Sequence, residues 1–173
     1  MTRLQNPPML IERRGDQPMP RASLWELRQR LSNHVLDDTP SSRPGGEAWA
    51  IYSLSDPRHL RAYRYVGQTR EPARRLLQHV LSAHAWARAA AAASSEGNWW
   101  LAPDDCRPLQ AWIQELYRAG RRLPCLVIHH WESSARDARE AERRMIDTCL
   151  DGGHELFNAE ARRHAGTRRL PLP

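Results

Sequence analysis

An α+β fold with a small three-stranded antiparallel sheet flanked by helices is what this sequence predicts, on three observations. Ala50 to Leu54 and Arg61 to Gly67 are short, aromatic-bearing runs joined by a polar loop containing Asp56-Pro57, the pattern of an antiparallel hairpin. Leu123 to Trp131 is a mostly apolar run suited to a third strand buried on both faces for much of its length. Helical patterns follow the hairpin and the third strand, so the order reads ββααβα.

Each element has a local cause. Thr69 and Pro72 set up the first helix of the domain, because proline suits the first helical turn, and Leu76, Leu77, Val80 and Leu81 give it a buried stripe. The alanines at 89–93 extend its propensity without adding large side chains. The second helix starts at Pro108, with Leu109, Trp112, Ile113, Leu116 and Tyr117 at core spacing and Gly120 as its stop signal. Ser134 opens a third helix that runs to about Leu150 and closes at Gly152-Gly153. Residues 48–160 therefore form the domain. Ahead of it, residues 1–47 read as an arm. Ser23 and Glu26 make a capping box for a short helix with Leu24, Leu27, Leu31 and Val35 on one face, and a Pro/Gly/Ser linker follows. Residues 161–173 are a basic tail. The arm's helix offers a surface for a homodimer or another protein partner, although packing on its own domain is the plainer expectation.

Composition narrows the function classes. The formal net charge is +6, and all 26 basic residues are arginine. Arginine's planar fork matches phosphate, which suits nucleic acid, but a GC-rich coding bias produces the same usage, so the charge is permissive only. Mean hydropathy is -0.73. No apolar run approaches a membrane span and no charged-then-apolar leader is present, so a cytoplasmic protein without a membrane partner is expected. Cys106, Cys125 and Cys149 lack CxxC spacing, which argues against a zinc site or a disulfide framework; the last two fall in apolar patterns and read as core thiols.

Four polar positions draw notice from pattern alone. Tyr52 and Tyr65 sit in strand-like runs, and Arg75 and His79 stand at i, i+4 on one helix face. Each is ordinary by itself. On the third helix, Ala138, Ala141, Met145, Ile146 and Cys149 define an apolar face, and at 100° per residue Glu142 projects near its middle. A carboxylate among core positions is costly unless it is paired or bound to a cation. A structural ion pair is the alternative.

Taken together, Ala50-Ile51-Tyr52, Tyr65-Val66-Gly67, Gln68-Thr69, Pro72, the Arg75/His79 pair, Glu142 and Asn158 resemble the GIY-YIG nuclease family. The resemblance covers roughly 49–160, with Ala50 in place of the first family glycine and Val66 in place of an isoleucine. It implies a metal-dependent endonuclease that hydrolyses DNA phosphodiester bonds with one divalent ion, Mg²⁺ or Mn²⁺, held by Glu142. It further implies that Arg75 meets the charge of the transition state and that Tyr52 relays a proton from the attacking water. A free phenol, with a pKa of about 10, is a poor base at neutral pH; His79 is the natural proton acceptor for it. Tyr65 would order water or phosphate, and Asn158 would hold the site's geometry. The rival expectation is a catalytically inactive nucleic-acid-binding module on the same fold. Trp99 and Trp100 are candidates for stacking on bases, and Arg162, Arg163, Arg168 and Arg169 for phosphate contacts; a small core plug and a solvated tail are their plainer readings. Adjacent strand residues point to opposite faces, so His129-His130 reads as one core and one exposed histidine rather than a metal pair.

Overall fold

The computed structural model describes residues 29–39, 43, 47–95, 108–120 and 122–158, with the side chains of 90–95 excepted. Trp99, Trp100, Cys106 and the tail arginines at 162, 163, 168 and 169 lie outside the described residues. The strands are β1 (Val35–Asp37), β2 (Trp49–Asp56), β3 (His59–Thr69) and β4 (Cys125–Glu132). The helices are α1 (Pro72–Ser95), α2 (Pro108–Arg118) and α3 (Ala135–Asp151).

The sheet is not the three-stranded antiparallel one expected from the sequence. It has four strands in the order β1-β4-β2-β3, and β1 pairs parallel to β4 while the other two pairings are antiparallel. The difference lies in residues 33–37. The sequence pattern carries Val35 on a helix, but helical structure ends at residue 32 and His34 N–H closes a turn onto Leu31 C=O at 2.9 Å. Val35, Leu36 and Asp37 then lie beside Leu126, Val127 and Ile128. The reason is the buried stretch of β4, whose outer backbone groups need partners once water is excluded. Leu126 N–H donates to His34 C=O at 2.8 Å, and Asp38 N–H to Ile128 C=O at 3.1 Å.

Strand alternation divides the sheet's residues between two layers of helix. Ala50, Tyr52 and Leu54 join Leu31, Leu76, Val80, Leu109, Ile113, Leu126 and Ile128 in a core beneath α1 and α2. The opposite face gives Ile51 to Ala138 and Ala141, and Val66 to Ile146 and Cys149, so α3 covers it. Cys125 and Cys149 are buried free thiols.

Two irregularities redirect side chains. A register shift between Leu54 and Ser55 leaves Leu54 opposite Tyr65 but Ser55 opposite Tyr63, so β3 carries one extra residue there and Tyr63 packs on the α3 side against Val66. A second shift puts Ile51 opposite His130 and Tyr52 opposite Ile128, which makes His129 the extra residue of β4. Facing residues share a sheet face. His130, opposite Ile51, and His129, whose Nε2 lies 2.9 Å from Ser53 Oγ, therefore both lie toward α3. The period-2 expectation of opposite faces fails at this bulge.

The helices start and stop as their termini dictate. Thr69 Oγ1 accepts from Glu71 N–H at 3.1 Å just ahead of Pro72. Ser134 caps α3, its Oγ accepting from Asp137 N–H at 3.1 Å while donating to Asp137 Oδ2 at 2.7 Å. At the far end Gly153 takes φ +80°, a left-handed conformation that glycine adopts without strain.

Candidate active site

The hairpin register places Tyr52 directly opposite Gly67. This pairing builds the centre of the site. The end of the Tyr52 ring lies so close to Gly67 that a Cβ there would sit 2.7 Å from the Tyr52 hydroxyl oxygen and 2.8 Å from its Cζ. Tyr65, two residues earlier on the same face, would also come within 2.9 Å of that Cβ through its Cε1. Gly67 is therefore the slot into which the phenol fits. Its φ is unremarkable; close approach is the reason for glycine here.

From the other side, α1 presents Arg75 and His79 one turn apart. His79 Nε2 lies 2.9 Å from the Tyr52 hydroxyl. Arg75 Nε donates to the same oxygen at 3.2 Å. Arginine can only donate, so the phenol oxygen accepts from Arg75 and its proton is free for His79. The network is satisfied when His79 is neutral with its lone pair on Nε2. The surroundings enforce that state: burial, and then the positive charge of Arg75, hold the imidazole down to about 3. Tyr52 is fully buried, and burial drives its phenol well above the ordinary range, with the Tyr65 phenol adding to the shift. Arg75 works in the opposite direction and Glu142 adds to the rise. Tyr52 is thus a neutral hydrogen-bonded link.

Tyr65 is the more accessible of the two phenols. Its ring stands edge-on to His79 at 5.2 Å and 6.2 Å from the Tyr52 ring. Burial raises its pKa; Arg75 lowers it, Glu142 raises it, and hydrogen bonding with Arg75 and Tyr52 offsets part of the rise. Tyr65, Arg75 and His79 all border a cleft of about 640 Å³ between α1 and α2.

Comparisons of this chain with protein-family models, with curated proteins and with solved structures return no match. The site must be read from its own geometry.

Glu142 arrives from the other layer. It is half-buried on α3 rather than enclosed in the middle of the buried face, and its charge reaches both Tyr52 and Tyr65. Among the described residues no group of three or more His, Cys, Asp or Glu side chains converges on one point. A hard cation held by one carboxylate, water and substrate oxygens requires no such cage. The α3 face of β3 also holds the Gln68 side-chain oxygen, buried without a hydrogen-bond partner. The donors present fit an Mg²⁺-like ion and do not fit zinc, which favours nitrogen and sulfur ligands.

Asn158 lies 92 residues from Val66 in sequence, yet its amide pairs with both backbone groups of that residue. Val66 N–H donates to Oδ1 at 3.0 Å, and Nδ2 donates to Val66 C=O at 2.8 Å. With Phe157 N–H on Arg64 C=O at 2.7 Å, this fixes the free edge of β3 on either side of Tyr65. Asn158 thus acts on the strand between Tyr65 and Gly67.

Tyr52, Tyr65, Arg75 and His79 form one contiguous cluster, Glu142 is coupled to it by charge, and Asn158 is coupled through the backbone. Sequence reasoning missed Gln78, Ser82 and Gln110, which also line the cleft. Gln78 and Ser82 follow Arg75 by three and seven positions, so helical periodicity from Arg75 would have found them. His84, by contrast, turns to α2, with Nδ1 3.3 Å from Gln114 Nε2. No helix among the described residues is long and apolar enough to cross a membrane.

Proposed function

We propose that this chain is a metal-dependent endonuclease of the GIY-YIG type, hydrolysing DNA phosphodiester bonds. The observation that carries the reading is the Tyr52 hydroxyl held between His79 Nε2 and Arg75 Nε in the space that Gly67 leaves open. Such a buried, fully oriented phenol–imidazole–guanidinium group exceeds what a structural core requires.

Phosphodiester hydrolysis requires a proton acceptor for the attacking water, compensation of charge on the phosphoryl oxygens, and help for the leaving oxygen. Arg75, half-buried at the cleft, supplies positive charge in a low-dielectric setting without needing to reorient. Tyr52, being fully covered, meets the incoming proton through Tyr65, the phenol that borders the cleft. As Tyr65 takes the water's proton, its own passes to Tyr52, and the Tyr52 proton passes to His79 Nε2. His79 Nε2 is open to it because the imidazole is neutral and already in contact with the Tyr52 hydroxyl; the same burial makes it a weak base, so the proton is held there only in passing. Glu142 would hold the divalent ion, Mg²⁺ or Mn²⁺, which when bound supplies Lewis-acid stabilisation of phosphoryl charge.

The test is Mg²⁺-dependent cleavage of duplex, single-stranded and branched DNA by the full chain and by Arg75→Ala and Glu142→Ala. Both variants are expected to lose at least about a hundredfold in rate, the scale of losing one preorganised charge-stabilising group. Variants that cut as fast as the parent protein would overturn the assignment.

A further inference from the structure

The cleft between α1 and α2 extends well past the reacting groups, and its walls change character along its length. At one end stand Arg75 and the Tyr65–His79 pair. Gln78 stands beside them, its Oε1 accepting from Arg75 Nη1 at 3.3 Å, and about one turn past His79 the polar lining is neutral, with Ser82 from α1 and Gln110 from α2. Leu109 and Phe157 supply apolar surface in the same cleft. Phe157 is itself braced at 6.0 Å by the Trp112 ring, so the apolar wall is backed by the core.

This gradient has a chemical meaning. A groove that only tracks a phosphate backbone is lined by repeated positive charge. Here, among the described lining residues, one guanidinium is accompanied by amides, a hydroxyl and an apolar surface. A group with one anionic end and a flat, partly apolar, hydrogen-bonding body matches that order, as a nucleotide does. Its size agrees as well, since about 640 Å³ lies within the ~300–1,000 Å³ typical of pockets that take a small organic ligand. The Gln110 Nε2 to Ser82 Oγ contact across the cleft is long, at 3.5 Å, and is readily exchanged for contacts to a base edge.

We infer that this cleft binds the nucleotide adjoining the scissile phosphate with its base unstacked, the phosphate on Arg75 and the base edge on Ser82 and Gln110. The inference rests on the nuclease reading for the identity of the phosphate. It adds a preference: sites where that base is already unpaired avoid the work of unstacking and are cut in preference to continuous duplex.

Binding and cleavage test it separately. The full chain is titrated with inorganic phosphate and with each deoxynucleoside 5′-monophosphate, followed by NMR shifts of the α1 and α2 amides. At least one monophosphate is expected to bind tenfold or more tighter than phosphate. Ser82→Phe, which fills the cleft, should bring that affinity down to the level of phosphate. Gln110→Ala, which adds no bulk, should weaken the same monophosphate at least threefold if the larger substitution impairs folding. In cleavage, a duplex with one unpaired nucleotide at the cut site should exceed the fully paired duplex in kcat/KM by tenfold or more. Phosphate and every monophosphate binding alike would overturn the inference whatever the cleavage rate. Nucleotide binding that is lost in Ser82→Phe, with no metal-dependent cleavage of any DNA, would support the cleft and overturn the nuclease reading instead.

Discussion

The sharpest test of the site's construction is Gly67→Ala. The added Cβ would lie 2.7 and 2.8 Å from the Tyr52 hydroxyl oxygen and Cζ, and 2.9 Å from Tyr65 Cε1. Carbon contacts are comfortable at about 3.5–4.0 Å, so one ring must move by roughly an ångström. Tyr52 has no free space, being fully buried on the core side, and any displacement lengthens its contacts to His79 and Arg75 at 2.9 and 3.2 Å. Overpacking costs about 1–3 kcal/mol, and each of the two weakened hydrogen bonds adds about 1 kcal/mol, so a loss of about 3–5 kcal/mol in unfolding free energy is expected. Denaturant unfolding measures it. A Tyr52→Leu background removes the two closest contacts, because leucine ends short of the phenol's Cζ. In that background Gly67→Ala should lose only about 1 kcal/mol, giving a coupling above about 1 kcal/mol in a double-mutant cycle. Full additivity, or a Gly67→Ala protein within 0.5 kcal/mol of the parent, would refute the claim that Gly67 exists to admit the phenol.

Three further outcomes follow from the same geometry. His79, held down to about 3 when folded against an ordinary 6.5, binds a proton in the unfolded chain before it does in the folded one. Its contribution is therefore intact above about pH 6.5 and lost as pH falls toward 3, by up to about 5 kcal/mol; denaturant unfolding from pH 7 to 4 in the parent and in His79→Gln should show that slope only in the parent. Asn158→Ala leaves the Val66 N–H and C=O without their partners, so a loss of about 1–3 kcal/mol is expected for each group that stays dry, and unfolding within 0.5 kcal/mol of the parent would contradict the role. Glu142→Gln removes a negative charge that raises both phenols, so ultraviolet titration should show Tyr65 ionising at lower pH than in the parent; an unchanged curve would mean that Glu142 does not belong to this site.

What could be read from the sequence followed local periodicity. Alternation puts positions 50, 52 and 54 on one face, and a four-residue step puts Arg75 and His79 on one helix edge, so the cluster's members are visible in the chain itself. The α3 pattern likewise singles out Glu142, although the helix leaves it half-buried rather than enclosed. What escaped depends on pairings distant in sequence. β1 has three residues, too few to show a period, and it becomes a strand because β4, some ninety positions later, has an open edge. The bulges at Arg64, opposite Leu54 and Ser55, and at His129 are likewise set by how strands fit across the sheet. No feature of the His129-His130 pair announces that both rings turn toward α3.

The arrangement of layers explains why a single amide should hold β3. The phenols, Arg75 and His79 belong to the face beneath α1 and α2, whereas Glu142 belongs to the helix on the opposite face. β3, which carries Tyr65, is an edge strand, so no further strand among the described residues separates the two faces beyond it. An edge strand, however, is held on one side only and is free to shift. A fifth strand would secure it and at the same time close the edge. Asn158 solves this by pairing with Val66 alone, as one rung of a ladder would, and Phe157 adds one more bond at Arg64. The edge is pinned between Tyr65 and Gly67 while β3 from Gly67 to Thr69 pairs only with β2 among the described strands. On this reading, loosening Asn158 should displace the tyrosines relative to Glu142 before it unfolds the domain.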